Sequence, residues 1–133
     1  MQQYDLILKN GTCVFPDRTE LLDLAIKNGT IVKIDTEINS QSKEIIDCTN
    51  LHILPGLIDG HVHFREPGLC YKEDLYTGSL SAVHGGVTSF LEMPNTKPLT
   101  ITKETLQEKV NLAKQKSLAN FAFFLGATDS NLQ

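Results

Sequence analysis

Two imidazoles, His61 and His63, and the guanidinium of Arg65 follow one another at every second position. Along a β-strand, side chains alternate between faces. On that pattern His61, His63 and Arg65 point one way, and Val62 and Phe64 point the other. Two imidazoles on one face can close on a zinc ion at about 2.0–2.1 Å. A guanidinium beside them suits two-pronged capture of a carboxylate. The competing reading is a pair of hydrogen-bonded histidines on a half-buried strand, with Arg65 in a solvated pair with Glu66 or Asp74, which would be worth little.

A catalytic zinc usually takes three protein ligands and keeps an open position, so two histidines need company. His52 precedes the Pro55-Gly56 break, and His84 falls near a helix C-terminus, where an imidazolium complements the dipole. Cys70 follows a turn, and a His-x-His…Cys structural site is an alternative. Glu92 is the best local carboxylate, and its competing reading is a buried acid paired with a lysine or arginine. Asn95, just past Met93-Pro94, could donate its amide to the carboxylate that Arg65 holds. Otherwise it is an ordinary turn asparagine.

These residues need a scaffold. Residues 4–54 read as short strands forming a small β-sandwich or part of one. Lys-Asn-Gly-Thr occurs at 9–12 and again at 27–30, each time between β-prone runs. Asn-Gly favours the φ > 0 pair of a type I′ turn, so two hairpins are expected, with Pro16-Asp17-Arg18 as the loop between them. The character changes at Pro55-Gly56. A strand over about 57–63 leads to a helix over roughly 73–84, stopped by Gly85-Gly86. A nearly continuous apolar strand follows at 87–93, as in buried parallel sheets.

The second helix is expected over about 103–117, with Thr102 as N-cap and Glu104 in its first turn. Leu106, Val110 and Ala113 give it one apolar stripe. Phe121-Ala122-Phe123-Phe124-Leu125 is a third buried strand. Strand-helix-strand-helix-strand means parallel βαβ units. The expected division is therefore 1–54 as a β-sandwich segment and 55–133 as the first βαβαβ portion of a barrel. A sheet ending in an apolar strand near Gln133 would leave that strand unpaired, an aggregation hazard. It reads as the N-terminal part of a larger (β/α)8 TIM barrel, which takes about 250 residues. Placed at the C-terminal end of a parallel barrel strand, His61 and His63 lie where barrel active sites lie.

The 133 residues are 41% hydrophobic and 21% charged, the composition of a globular chain. A net charge of −4 gives no electrostatic reason to expect nucleic acid or an anionic membrane as partner. No apolar run approaches the roughly 20 residues of a membrane-spanning helix. The N-terminus lacks the pattern of a signal peptide. Three cysteines at no metal-like spacing suit a reducing cytoplasm.

Pro55-Gly-Leu-Ile-Asp-Gly-His-Val-His-Phe-Arg-Glu-Pro-Gly68 resembles the first barrel strand of the amidohydrolase superfamily, and more narrowly that of the dihydroorotases of the long bacterial type. Lys72-Glu73-Asp74 with Thr77-Gly78-Ser79, Gly85-Gly86-Val87-Thr88 and Met93-Pro94-Asn95-Thr96-Lys97-Pro98 agree with it. The resemblance implies a TIM barrel with a small flanking β-sandwich domain, completed beyond the third strand. It implies a zinc site of one or two Zn²⁺ per full-length subunit, with His61 and His63 as ligands. It implies that Arg65 and Asn95 hold the substrate α-carboxylate and that His63 also contacts substrate. The implied reaction interconverts N-carbamoyl-L-aspartate and dihydroorotate. The general-base aspartate, the bridging carboxylate or carboxylated lysine and two further histidines are expected beyond Gln133, so this stretch by itself is expected to be inactive. Hydantoinases and allantoinases share the His-x-His strand but take substrates without this carboxylate. A non-catalytic homologue serving as an assembly partner is the reading from another class. A homodimer is an open expectation.

Overall fold

The computed structural model describes residues 3–131. They fall into two compact units, Met1–Pro55 and Gly56–Gln133.

The first unit is a mixed sheet of five strands, β1 (Tyr4–Val14), β2 (Thr19–Lys27), β3 (Thr30–Asp35), β4 (Ser42–Asp47) and β5 (His52–Ile53). Its order is β3-β2-β1-β4, with β5 also paired to β1. Among the described residues the β-sandwich segment is thus one sheet with apolar clusters of its own. Ile7 and Ala25 pair across β1 and β2 and are fully buried with Tyr4 and Ile38. Leu8 and Leu24, the next pair along, cluster with Cys13, Leu22, Phe15 and Ile53.

The two Asn-Gly pairs, expected to make the same turn, do different things. Asn28 and Gly29 have φ of 52° and 72° and form the tight turn between β2 and β3. Asn10 has φ of 59° inside β1, where the register slips between Leu8 and Gly11. It makes a β-bulge, not a hairpin, and Pro16-Asp17-Arg18 is itself the connection from β1 to β2. Both asparagine N–H groups go to carboxylates, that of Asn28 to Asp5 at 2.7 Å and that of Asn10 to Asp23. The Asp23 carboxylate accepts the Asn10 N–H at 2.9 Å and the Ile38 N–H at 2.9 Å and pairs with Lys9 at 2.7 Å. Gly11 is needed because a Cβ there would run into Ile53.

Burial alone would raise the Asp23 carboxyl, but the Lys9 ammonium and these two N–H groups outweigh it and hold it below its ordinary value. The stability so gained is fully present above the unfolded value, about 3.9, and is lost as pH falls through the lower folded value. Asp23→Asn is expected to cost about 3 kcal/mol at pH 7. In urea unfolding between pH 2 and 7, the gap between variant and wild type should close below about pH 4. A gap that persists unchanged at pH 2 would contradict this.

The second unit is a parallel sheet, β6 (Leu57–Val62), β7 (Val87–Glu92) and β8 (Asn120–Phe123), in that order. Helices α1 (Leu75–His84) and α2 (Lys103–Lys116) make the crossovers. Asp74 caps α1 by accepting the Thr77 N–H at 2.8 Å, and Thr102 caps α2 by accepting that of Thr105. Gly86, at φ of 82°, ends α1 as expected. Phe90 of β7 is the centre of the core, with Leu75, Ala113 and Ala119 buried around it. Val62 and Phe64 pack there too, so the face of β6 opposite the histidines is the helix-facing one. Gly78 of α1 meets the Phe64 ring so closely that an added Cβ would overlap it. Gly78→Ala is expected to cost roughly 1–3 kcal/mol by overpacking, read as a lower urea midpoint.

Candidate active site at the strand tips

β6 ends at Val62, so His61 is on the strand and His63 is the first residue past its end, with the core-packed Val62 between them. The two rings meet edge to face with centroids 5.2 Å apart. The Asp59 carboxylate accepts the His61 backbone N–H at 3.0 Å. At the tip of the neighbouring strand, Asn95 Oδ1 lies 2.8 Å from His63 Nδ1. An amide oxygen only accepts, so His63 Nδ1 is the donor, and in a neutral imidazole so arranged Nε2 is the nitrogen that can accept or ligate. This orientation by an outer partner is what a metal-binding imidazole requires. The asparagine Nδ2 remains available as a donor.

The donor set fits part of a zinc site, since neutral imidazole nitrogens are among the ligands zinc prefers. Among the described residues, no His, Cys, Asp or Glu joins the pair to make a group of three. The His-x-His…Cys70 alternative therefore has no support, and Cys70 is an exposed free thiol.

Arg65 reaches its place differently from the expected strand alternation. The strand has ended, and Arg65 adopts a left-handed backbone at φ of 67°. The loop, not the pleat, therefore aims its side chain. Neither proposed ion-pair partner takes it. Glu66 is buried, pairs with Lys116 and accepts the Leu75 N–H at 3.0 Å. Asp74 is occupied by the helix cap. Among the described residues Arg65 makes no ion pair.

The loops after β6 and β7 are joined. Lys97 donates its N–H to the Pro67 carbonyl at 3.1 Å. Gly68, at φ of 85°, packs so closely on Lys97 that a Cβ would overlap its carbonyl. Met93 N–H binds the Val62 carbonyl at 3.0 Å, and Phe124 N–H binds that of Glu92 at 3.0 Å.

Glu92 is the buried acid of the alternative reading rather than a ligand. Its carboxylate is 2.9 Å from the Lys109 ammonium, and both side chains are 0% exposed. Burial pushes the Glu92 carboxyl up and the Lys109 ammonium down, toward a neutral pair. Lys109 went unnoticed in the sequence. The apolar stripe of α2 could have revealed it, because position 109 lies three after Leu106 and four before Ala113, on the same face.

A parallel βαβαβ sheet carrying its polar groups at the C-terminal strand tips is the opening portion of a (β/α)8-barrel fold. The comparisons with known proteins take this further. The profile of the Amidohydrolase family matches residues 52–128, and the chain belongs to that family. The allantoinase of Desulfitobacterium hafniense is 42% identical over 99% of this chain and 30% of its own length. The dihydroorotase of Lactococcus lactis is 44% identical over 85% of this chain and 27% of its own. The solved L-hydantoinase (dihydropyrimidinase) of Arthrobacter aurescens superposes with a TM-score of 0.91 at 30% identity, over 96% of this chain and 29% of that one. The chain thus spans under a third of the length of these relatives. No helix is long and apolar enough to cross a membrane among the described residues.

Proposed function

We propose that the protein to which this sequence belongs is a zinc-dependent cyclic amidohydrolase, and that its substrate is dihydroorotate, interconverted with N-carbamoyl-L-aspartate. The observation that supports the reading is Asn95 Oδ1 on His63 Nδ1, 2.8 Å apart at the strand tips, with Arg65 two residues further along the chain and, among the described residues, in no ion pair. His61 and His63 would hold the metal through ring nitrogens, with His63 Nε2 freed by its bond to Asn95. When bound, the metal supplies hydroxide at neutral pH and polarises the scissile carbonyl. Arg65 and the Asn95 amide donate to the substrate carboxylate, which fixes the ring before reaction. His63 would also contact the substrate.

A second reading has its own support. Allantoinase and hydantoinase relatives cover nearly the whole chain. Under that reading Asn95 only orients His63, and Arg65 serves a substrate lacking a carboxylate. Ring opening of dihydroorotate, allantoin and hydantoin by the full-length protein separates the two. Turnover of dihydroorotate with kcat/KM at least tenfold above the others is expected. Activity on the other two alone would overturn the dihydroorotase reading.

A further inference from the structure

Asn95 is exposed, and its hold on His63 depends on the strap that carries it. That strap, residues 93–100, is fastened by a buried network. Lys109 of α2, fully buried, donates to the Met93 carbonyl at 3.0 Å and to Thr100 Oγ1 at 3.4 Å, and pairs with Glu92 at 2.9 Å. These acceptors match the three protons of an ammonium. Thr100 Oγ1 is 3.2 Å from Thr96 Oγ1, which lies 3.0 Å from the Pro98 carbonyl. Both threonines are 1% exposed, so their hydroxyls depend on these bonds.

The direction of the chain follows from its two ends. An ammonium only donates, and a carbonyl only accepts. Thr100 Oγ1 therefore accepts from Lys109 and gives its own proton to Thr96, and Thr96 gives its proton to Pro98. Each hydroxyl accepts one bond and donates one. Buried polar chains satisfied in this way fix a single arrangement. Backbone bonds from Thr100 N–H to Pro94 at 2.9 Å and from Gly126 N–H to Thr100 at 2.8 Å fasten the same strap. Asn95 thus stands between Met93, held through its carbonyl, and Thr96, held through its hydroxyl. Its contact with His63 is 2.8 Å long. Moving the strap by about 1 Å would carry that contact out of hydrogen-bonding range, which ends at about 3.2 Å.

We propose that Thr96 and Thr100, anchored on Lys109, are positioning residues for His63: they hold the strap so that Asn95 Oδ1 meets Nδ1, which keeps the proton on that nitrogen and leaves Nε2 to ligate. They act through Asn95 alone. The consequence for metal binding rests on reading His63 as a zinc ligand.

The test uses the full-length protein. Replacing Lys109 alone would leave the Glu92 carboxylate buried and unpaired, so the hydroxyls are replaced instead. Thr96→Val/Thr100→Val keeps the branched shape and removes both links, and Thr96→Ser/Thr100→Ser keeps them. Near-ultraviolet circular dichroism checks folding. Should the valine pair not fold, Thr96→Val alone carries the same expectations. The first readout is the tautomer of His63 in zinc-free protein at about pH 8.5, where an imidazole is neutral. Heteronuclear NMR of the ring nitrogens reports it, with His63→Gln to assign the signals. Wild type and the serine variant should carry Nδ1–H, and the valine variant should pass to a mixture with Nε2–H. The second readout is zinc affinity by chelator competition. The dissociation constant should rise about ten- to a hundredfold in the valine variant, the range for losing an outer partner of a ligating imidazole, and as much in Asn95→Ala. Adding the valines to Asn95→Ala should change it less than about threefold, because both losses act through one bond. An unchanged tautomer in the folded valine variant would overturn the inference, and so would zinc losses that multiply in the triple variant. A changed tautomer with unchanged zinc affinity would support the positioning and overturn the reading of His63 as a ligand, so the two fail separately.

Discussion

Full-length protein carrying His61→Ala is expected to lose most of its bound zinc and to turn over substrate about a thousandfold more slowly. The His61 and His63 rings stand edge to face at the end of β6, and on the proposed reading both imidazoles would hold the zinc. Among the described residues no third His, Cys, Asp or Glu joins them. Losing a ligand forfeits metal and, with it, several kcal/mol of charge stabilisation in the transition state. About 4 kcal/mol corresponds to that thousandfold. Metal content by mass spectrometry, alongside turnover, makes the check. The variant should fold normally, because His61 is exposed and the buried side of β6 is built by Val62 and Phe64. Wild-type zinc and wild-type activity together would show that His61 is no ligand.

The second large effect is expected from Arg65→Met. Methionine keeps the length of the side chain and removes the charge. If the guanidinium grips a substrate carboxylate, KM for dihydroorotate should rise by ten- to a hundredfold. That is about 1.4–2.7 kcal/mol, the scale of a charge-assisted hydrogen-bonded pair. The effect should be confined to substrates that bear the carboxylate, so any turnover of hydantoin should keep its KM. Equal losses on both substrates would mean that Arg65 supports the loop and not the ligand. Steady-state kinetics on the two substrates, with zinc content held equal, gives the answer.

Much of this site could be read from residue order alone, and the parts that could not depend on more than local sequence. His61, His63 and Asn95 were legible because strand pleating and strand-tip position depend only on local sequence. Asn95 was expected to serve a carboxylate, but its bond to His63 needs two strands in register and has no sequence signature. Arg65 was placed by extending the alternation past the point where the strand stops, and a left-handed residue after Phe64 cannot be anticipated from a period of two. Asn10-Gly11 was read as a turn because φ > 0 suits turns and bulges alike. What separates them is that β1 pairs with β2 on both sides of Asn10, whereas Asn28 lies where β2 turns into β3. Lys109 was hidden by its own charge. A lysine on a helix is taken for surface unless its partner is known, and Glu92 comes from another element. At Asn95 and Lys109 the missing information is a polar contact to another element, and at Arg65 it is the end of the strand.

The bond from Lys97 N–H to the Pro67 carbonyl, with Gly68 pressed on Lys97, bears on how such a protein could diverge. The segment carrying Arg65 and the segment carrying Asn95 are fastened to each other at their far ends. Neither can be exchanged for a relative's version alone, because a side chain at position 68 or a different backbone path at 97 would break the fit. The two stretches, 64–70 and 93–100, therefore form a cassette that must be inherited or grafted together. A new substrate preference would arise through paired changes in both, and a chimera carrying only one would lose the old activity before gaining another.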